Sequence, residues 1–154
     1  MPLRGLFLAI ATYICDVARI MAIDYGTKRT GIAVTDPLQI IANGLDTVET
    51  NQLLEYLEAY FQEEEVETVV VGEPQHADGT PTYLEPHIIG FIRKLKKQQP
   101  EMNIVRQDER FTSVMAKEAL LESGLKKKKR REKGLIDKMA ATILLQEYLE
   151  AHKY

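Results

Sequence analysis

Three acidic residues lie where the sequence pattern predicts that strands end or a helix begins. Asp24 ends the apolar run RIMAID, Glu109 ends MNIVRQDE, and Asp137 lies in the first turn of a predicted final helix. Strand ends in α/β sheets converge on one edge, where ligands bind, and a helix packed across the sheet can add a side chain there. Three carboxylates in one place repel one another unless a divalent cation neutralises them. Their oxygens suit Mg²⁺ or Mn²⁺. Two such ions about 3.5–4 Å apart can stabilise the attacking and the leaving oxygen when a phosphodiester bond is cleaved.

Each acid also has an ordinary structural explanation. Asp24 precedes a turn, where aspartate is common. Glu109 can form a surface ion pair with Arg110, which would contribute little to stability. Asp137 can be a helix-start acid that the macrodipole favours. Taken one at a time, these explanations stay open.

The neighbours of two acids narrow the alternatives. Asp108 and Glu109 point to opposite sides of their strand, so only one of them should face a metal. Ile136 and Ala140 flank Asp137 on the apolar side of its helix. An unpaired charge at such a position is costly, and a metal partner would relieve that cost.

The first half of the chain predicts an antiparallel meander. Residues 19–24 and 30–35 are apolar, strand-like runs joined by a short basic turn, which favours a hairpin. Residues 40–49 predict a third strand, with Asn43 and Gly44 marking a bulge or bend.

Helices and strands alternate in the second half. A helix after residue 49, with Thr50 or Asn51 as its cap, leads into the continuously apolar strand VETVVVGEP. Residues 88–95 predict a second helix, MNIVRQDE a fifth strand, and two further helices follow, the first stopped by Gly124. The order β-β-β-α-β-α-β-α-α predicts an α/β fold: one domain with a mixed five-stranded sheet flanked by helices.

Composition limits the class of protein. The chain has 154 residues, 28% charged and 45% hydrophobic, with a formal net charge of −3. These values are typical of a folded domain, and the net charge alone does not indicate a polyanion partner. The single cysteine, Cys15, forms no internal disulfide and lacks the partners of a zinc site, which favours a reducing cytoplasm.

The N-terminal segment is an extension of uncertain status. Residues 6–15 are apolar and match a signal-peptide core in length, but they are too short to span a bilayer as a helix. No cleavage-site pattern follows, and Asp16 and Arg19 interrupt the run. The favoured interpretation is an extension, or an assigned start upstream of the real one, across residues 1–18. We expect the folded domain to occupy residues 19–154.

Four motifs together resemble the YqgF family, also called RuvX: AIDYGTKRTGIAVTD, VVVGEP with the following DGT, DERFTS, and IDKMAATILLQEYL. They occur in family order and span nearly all of residues 19–151. The resemblance implies an RNase H-like nuclease domain. It also implies that Asp24, Glu109 and Asp137 are both the catalytic residues and the ligands of Mg²⁺ or Mn²⁺, with two ions expected. Water-driven cleavage would leave a 3′-hydroxyl and a 5′-phosphate.

Basic residues predict contacts with nucleic acid. Residues 126–133, KKKKRREK, carry seven positive charges and one negative, although such runs are often only solvated loops. A flexible basic loop beside an acidic site can hold a phosphate backbone without reading sequence. The predicted nucleic-acid-binding residues are Lys28, Arg29, Arg110, Lys126, Lys127, Lys128, Lys129, Arg130 and Arg131.

Other residues of the motifs have smaller expected roles. Gly26 and Gly72 are predicted turn glycines that allow close approach of backbone or substrate. Glu73 stands where many relatives have an apolar residue. Either Glu73 or Asp108 is a candidate for a fourth acid at the metal site, although a surface role for Glu73 is slightly favoured. Tyr25 can stack on a base, but packing beneath the hairpin is the favoured interpretation.

Two histidines carry no signal of chemistry. His76 and His87 lack the paired spacing of ligands, so each is interpreted as an ordinary loop or helix histidine.

The sequence therefore predicts a metal-dependent endonuclease, with the 5′ end of the 16S rRNA precursor as the favoured substrate. The alternatives are a Holliday junction resolvase, which would need a dimer, and a binding module without hydrolysis. An actin-like ATPase shares the Asp-x-Gly hairpin, but that architecture needs two such domains and a longer chain. No membrane partner is expected.

Overall fold

The structure is a computed structural model that describes residues 18–109, 112–124, 126–127 and 132–152. The predicted N-terminal extension therefore lies outside the described residues, apart from Ala18. The described residues form five strands: β1 Arg19–Asp24, β2 Arg29–Thr35, β3 Ala42–Glu49, β4 Val66–Glu73 and β5 Asn103–Asp108. The same described ranges contain four α-helices: α1 Leu53–Glu63, α2 Glu85–Gln98, α3 Thr112–Glu122 and α4 Lys133–Ala151.

The strands form one mixed sheet in the order β3-β2-β1-β4-β5. Short connections pair β1 with β2 and β2 with β3 in antiparallel fashion. Longer connections through α1 and α2 make β4 parallel to β1 and β5 parallel to β4. The predicted mixed five-stranded α/β sheet is confirmed.

Alternation along β1 divides the core between the two faces of the sheet. Met21 and Ile23 are fully buried on the face covered by α1 and α2. Ile20 and Ala22 point the other way and pack with Leu144 of α4. Helix α3 lies outside α4 and contacts it through a small apolar cluster that includes Ala116, Ala140 and Ile143. The end of β1 can therefore present residues to both faces.

The structure corrects some local predictions. Thr50 does not cap α1; it begins a short 3₁₀ turn, Thr50–Gln52, and its hydroxyl donates to the carbonyl of Gly26 at 2.6 Å. Asn51 is not the cap either, since Gln52 occupies that position without a side-chain hydrogen bond. Helix α2 begins three residues before the predicted start.

Other local predictions hold. The register of β2 and β3 shifts beside Gly44, so the predicted bulge is present. Gly124 follows α3 with a φ of +76°, as expected of a helix stop. Within the described residues, no helix combines the length and apolar character needed to cross a membrane.

Candidate active site

Asp24 and Asp137 come together because α4 lies directly against β2. Asp24 pairs with Gly31 across the β1–β2 ladder, so both face α4. A Cβ on Gly31 would overlap the backbone carbonyl of Asp137, closer than real Cβ atoms approach any neighbour. Only glycine permits this contact, and the contact places Asp137 above the end of β1.

Glu109 follows β5, which lies on the opposite side of β1 from β2. Its backbone N–H donates to the carbonyl of Glu73 at 3.3 Å, which continues the β4–β5 pairing by one residue. Its side chain is only 8% exposed and lies over Gly72, where a Cβ would overlap the carboxyl group. Gly72 thus provides space for a buried acid rather than a turn.

The Glu109 carboxyl donates a hydrogen bond to the Asp24 carboxylate. Burial raises the pKa of Glu109, and repulsion from Asp24 raises it further. The pKa of Asp24 is also raised, chiefly by burial and then by the charge of Asp137. The pair therefore holds a shared proton in place of a second negative charge.

Asp137 is partly buried and forms an ion pair with Arg29, whose Nε lies 3.3 Å from Oδ2. Burial raises the pKa of Asp137, while Arg29 and Lys133 act in the opposite direction. Since α4 begins at Lys133, Asp137 lies in the second turn, not the first. The macrodipole acts within the first turn, so it does not account for this acid.

Arg29 was expected to bind nucleic acid, and in the structure its guanidinium contacts a predicted metal ligand. The backbone of the hairpin turn beside it is close-packed: a Cβ on Gly26 would overlap the carbonyl of Arg29. This turn directs Arg29 back across the sheet edge toward Asp137.

A second arginine, Arg106, and its partner Glu85 also lie near the site, although the sequence pattern did not indicate them. Arg106 of β5 donates to both carboxylate oxygens of Glu85, at 2.8 and 3.1 Å, and to the carbonyl of Gly72 at 3.2 Å. The Arg106 guanidinium lowers the pKa of Glu85 and also acts to lower that of Glu109. A charged residue inside a strand is the signal that could have identified it.

Three of the remaining predicted basic residues fall within the described ranges, and all three are exposed. Lys28 is exposed on the hairpin turn, and Lys126 and Lys127 are exposed after α3. Arg110 and residues 128–131 lie outside the described residues.

The two candidate fourth acids lie at the ends of β4 and β5. Glu73 and Asp108 pair with each other in the β4–β5 register. The charge of Asp108 acts to raise the pKa of Glu109 and that of Glu147 on α4.

The donor set fits a hard divalent cation. Three carboxyl groups meet at one edge, and burial raises the pKa of each of them, so a nearby cation would stabilise their charged forms. In the described part of the chain, no three His, Cys, Asp or Glu side chains already stand in a metal-holding arrangement.

A family model described as Holliday junction resolvase, RuvX, matches residues 18–151. The chain belongs to the RuvX family. A relative from Christiangramia forsetii is 56% identical over 133 residues, covering 86% of this chain and 98% of the relative. Relatives from Flavobacterium johnsoniae and Bacteroides fragilis are 51% and 50% identical, covering 88% and 89% of this chain and 99% of each relative. All three RuvX relatives are named as candidate pre-16S rRNA nucleases.

A solved structure also resembles this RuvX-family chain. Thermus thermophilus RuvC, determined with a Holliday junction substrate, superposes with a TM-score of 0.51 and 19% identity, covering 87% of this chain and 95% of RuvC. At this identity the likeness shows the fold, which is RNase H-like. The predicted fold class and family are thus confirmed.

Proposed function

We propose that this protein is a divalent-metal-dependent endonuclease that trims the 5′ end of the 16S rRNA precursor. The observation that carries the proposal is the meeting of Asp24, Glu109 and Asp137 at one edge of an RNase H-like sheet. A purely structural role gives no reason for this arrangement. Burial raises the pKa of both Asp24 and Glu109, which means that burying these two carboxyl groups together is unfavourable.

Asp24, Glu109 and Asp137 would hold the cation, which we propose to be Mg²⁺ or Mn²⁺, with two ions in the active state. When bound, such ions activate water and stabilise charge on the attacking and leaving oxygens of a phosphodiester. The pairing of β1 with β2 holds Asp24 in place, and the close packing of the Glu109 carboxyl against Gly72 holds Glu109 in place. Both must lose their shared proton before they can act together as ligands.

Arg29 and Arg106 would complete the charge balance of the site. Arg29 holds Asp137 in the metal-free protein through a partly exposed ion pair, which can exchange at little cost. Once released, its guanidinium would lie at the sheet edge, where it can bind a substrate phosphate. Arg106 is fixed by Glu85, so it would support the buried end of the site without moving.

The substrate backbone would be held by the basic residues predicted from the sequence, Lys28 and the run at 126–131. These contacts would add affinity and salt dependence without sequence preference. The domain would comprise residues 19–154 and act in the cytoplasm, where the rRNA precursor is made.

The choice of RNA rests on the relatives, whose names specify pre-16S rRNA at 50–56% identity. The family description instead names Holliday junctions. A side-by-side assay separates the two. Purified protein is incubated with Mn²⁺ and either a 5′-extended 16S rRNA fragment or a synthetic four-way DNA junction, with Asp24→Asn as the control.

We expect the native protein to cleave the RNA and to leave the junction intact. We expect Asp24→Asn to cleave neither substrate. Paired symmetric nicks in the junction would instead indicate a resolvase and a homodimer. Binding of both substrates without cleavage would favour a binding module. Cleavage retained by Asp24→Asn would contradict the assignment of the site.

A further inference from the structure

A cleft lies on the opposite face of the sheet from the three acids. It has a volume of about 500 Å³ and lies where the end of β1 meets α1 and α2. Its lining includes Tyr25 and Thr27 from the hairpin, Asn51 from the 3₁₀ turn, and Gly90 and Lys94 from α2. This volume is typical of small-molecule and nucleotide sites.

The cleft begins one residue after the first acid of the site. Consecutive residues at a strand end point to opposite faces, so Asp24 faces α4 while Tyr25 faces the cleft. Their Cα atoms are separated by about 3.8 Å, the length of one peptide step. A nucleic-acid strand with a phosphate at Asp24 therefore needs only to cross the sheet edge to reach the cleft.

Gly90 keeps the wall of the cleft open. It lies in the middle of α2, where glycine is the least favourable residue after proline. A Cβ at this position would meet nothing within 4 Å, so packing does not require glycine here. The effect of glycine at this position is to leave space in the cleft.

The cleft combines an aromatic surface, a cation and neutral polar groups. The ring of Tyr25 is partly exposed and packs against Phe91, with ring centroids 5.5 Å apart. Lys94 is exposed at the rim, and Asn51 and Thr27 supply an amide and a hydroxyl. Bases stack on aromatic rings, and phosphates pair with lysine, so this set matches a nucleotide.

We propose that this cleft binds a nucleotide of the substrate strand next to the scissile phosphate. The proposal rests on the nuclease function proposed above. Tyr25 stacks on the base, Lys94 contacts a flanking phosphate, and the acids act on the phosphate across the sheet edge. The cleft thereby sets which phosphate reaches Asp24.

Gly90→Leu tests the cleft by filling it. Binding is measured by fluorescence anisotropy without divalent metal, using a labelled single-stranded RNA of about ten nucleotides, within the usual span of such sites. We expect Gly90→Leu to weaken binding about tenfold, the loss of roughly one stacked base. Gly90→Ala adds one methyl group and should weaken binding by about two- to threefold on the same scale. Thermal unfolding by circular dichroism shows whether α2 stays folded in both variants.

A pair of charge variants tests the phosphate contact. Lys94→Gln should reduce the slope of log Kd against log salt by about 0.7, the value for one phosphate contact with a single strand. Arg93→Gln removes the same charge from the neighbouring residue of α2, which is exposed and does not line the cleft. It should leave the slope unchanged.

The outcomes separate this inference from the function on which it rests. If the native protein cleaves RNA and folded Gly90→Leu binds it as tightly as the native protein, the cleft assignment is wrong and the nuclease remains. If the native protein binds but never cleaves, and Gly90→Leu weakens binding, the cleft is supported and the catalytic proposal fails. If the native protein binds no RNA, both proposals are overturned.

Discussion

The two faces of the sheet at the end of β1 use glycine for opposite purposes. On the α4 face, the space beside Gly31 is filled by the backbone of α4, and the space beside Gly72 is filled by the Glu109 carboxyl. On the α1/α2 face, the space beside Gly90 is open. The first face is close-packed around buried charge, and the second is a cleft lined by aromatic, apolar and polar side chains.

This difference indicates a division of work between the two faces: the α4 face carries out the chemistry, and the α1/α2 face binds the substrate strand. Chemistry on charged groups needs fixed geometry, which the contact between Gly31 and α4 supplies. Binding of a flexible strand needs space and an aromatic surface, which the cleft at Gly90 supplies. Changes on the α4 face should therefore alter catalysis and stability together, whereas changes on the cleft face should alter affinity.

The largest expected effect is the loss of cleavage in Glu109→Gln. The amide keeps the shape of the side chain but removes the charge of a proposed ligand, so the cleavage rate should fall by at least about 10²–10³, as for loss of a key electrostatic group. Single-turnover cleavage of the rRNA fragment measures this. Gly90→Leu, compared in the same assay, should lose mainly affinity for the RNA, with a much smaller loss of rate at saturating RNA than Glu109→Gln. Equal losses in the two variants would refute the division of work.

The next effect is a difference in stability between two glycine substitutions. Gly31→Ala forces a methyl group against the Asp137 backbone and should lower the free energy of unfolding by about 2–3 kcal/mol, as overpacking does. Gly90→Ala meets no neighbour and should raise the free energy of unfolding by about 0.5–1 kcal/mol through helix propensity. Urea unfolding of both variants gives the comparison, and a destabilised Gly90→Ala would show that the cleft wall is closed.

The metal-free protein should lose stability as the pH rises. The pKa of Glu109 is raised above its ordinary value of 4.5, so the folded state binds a proton that the unfolded state releases. This contribution is fully present below about pH 4.5 and declines as the pH rises toward the folded pKa, by up to about 1.4 kcal/mol per pH unit for one proton. Unfolding in EDTA between pH 5 and 8 measures the slope. Glu109→Gln should flatten it, and an unchanged slope would place the proton elsewhere.

The smallest expected effect is that of Arg29→Gln. Loss of a partly exposed ion pair should change the free energy of unfolding by less than about 1 kcal/mol. Because the guanidinium competes for Asp137, its removal should tighten Mn²⁺ binding about threefold, a change of the size expected for such an ion pair. Titration calorimetry measures both proteins under the same conditions. Weaker Mn²⁺ binding would mean that Arg29 positions Asp137 rather than competing for it.

The sequence predicted the sheet well because its signals are local. The short turn before Arg29 requires an antiparallel pair, and the apolar run of β4 is typical of a strand buried on both faces. The cap at Thr50 was wrong because the hydroxyl of Thr50 bonds the distant Gly26 carbonyl and the Thr30 hydroxyl instead. Tertiary contacts of this kind leave no mark in the local pattern.

The site was only partly predictable for the same reason. The sequence placed Asp24, Glu109 and Asp137 at element ends, and the structure brings them to one edge. It did not reveal that Gly31 admits the backbone of α4 or that Arg29 contacts Asp137, because these contacts join residues about a hundred positions apart. An isolated glycine inside a strand was the one available signal for Gly31.

The most direct test of the central claim is to locate Mn²⁺ by anomalous diffraction from crystals grown with the metal. We expect an anomalous peak bound by Asp24, Glu109 and Asp137, with Arg29 moved away from Asp137. We expect Asp24→Asn crystals grown in the same way to lack the peak. Crystals of the native protein with no peak at this edge, and with the Arg29–Asp137 ion pair intact, would contradict the assignment of these three residues as metal ligands.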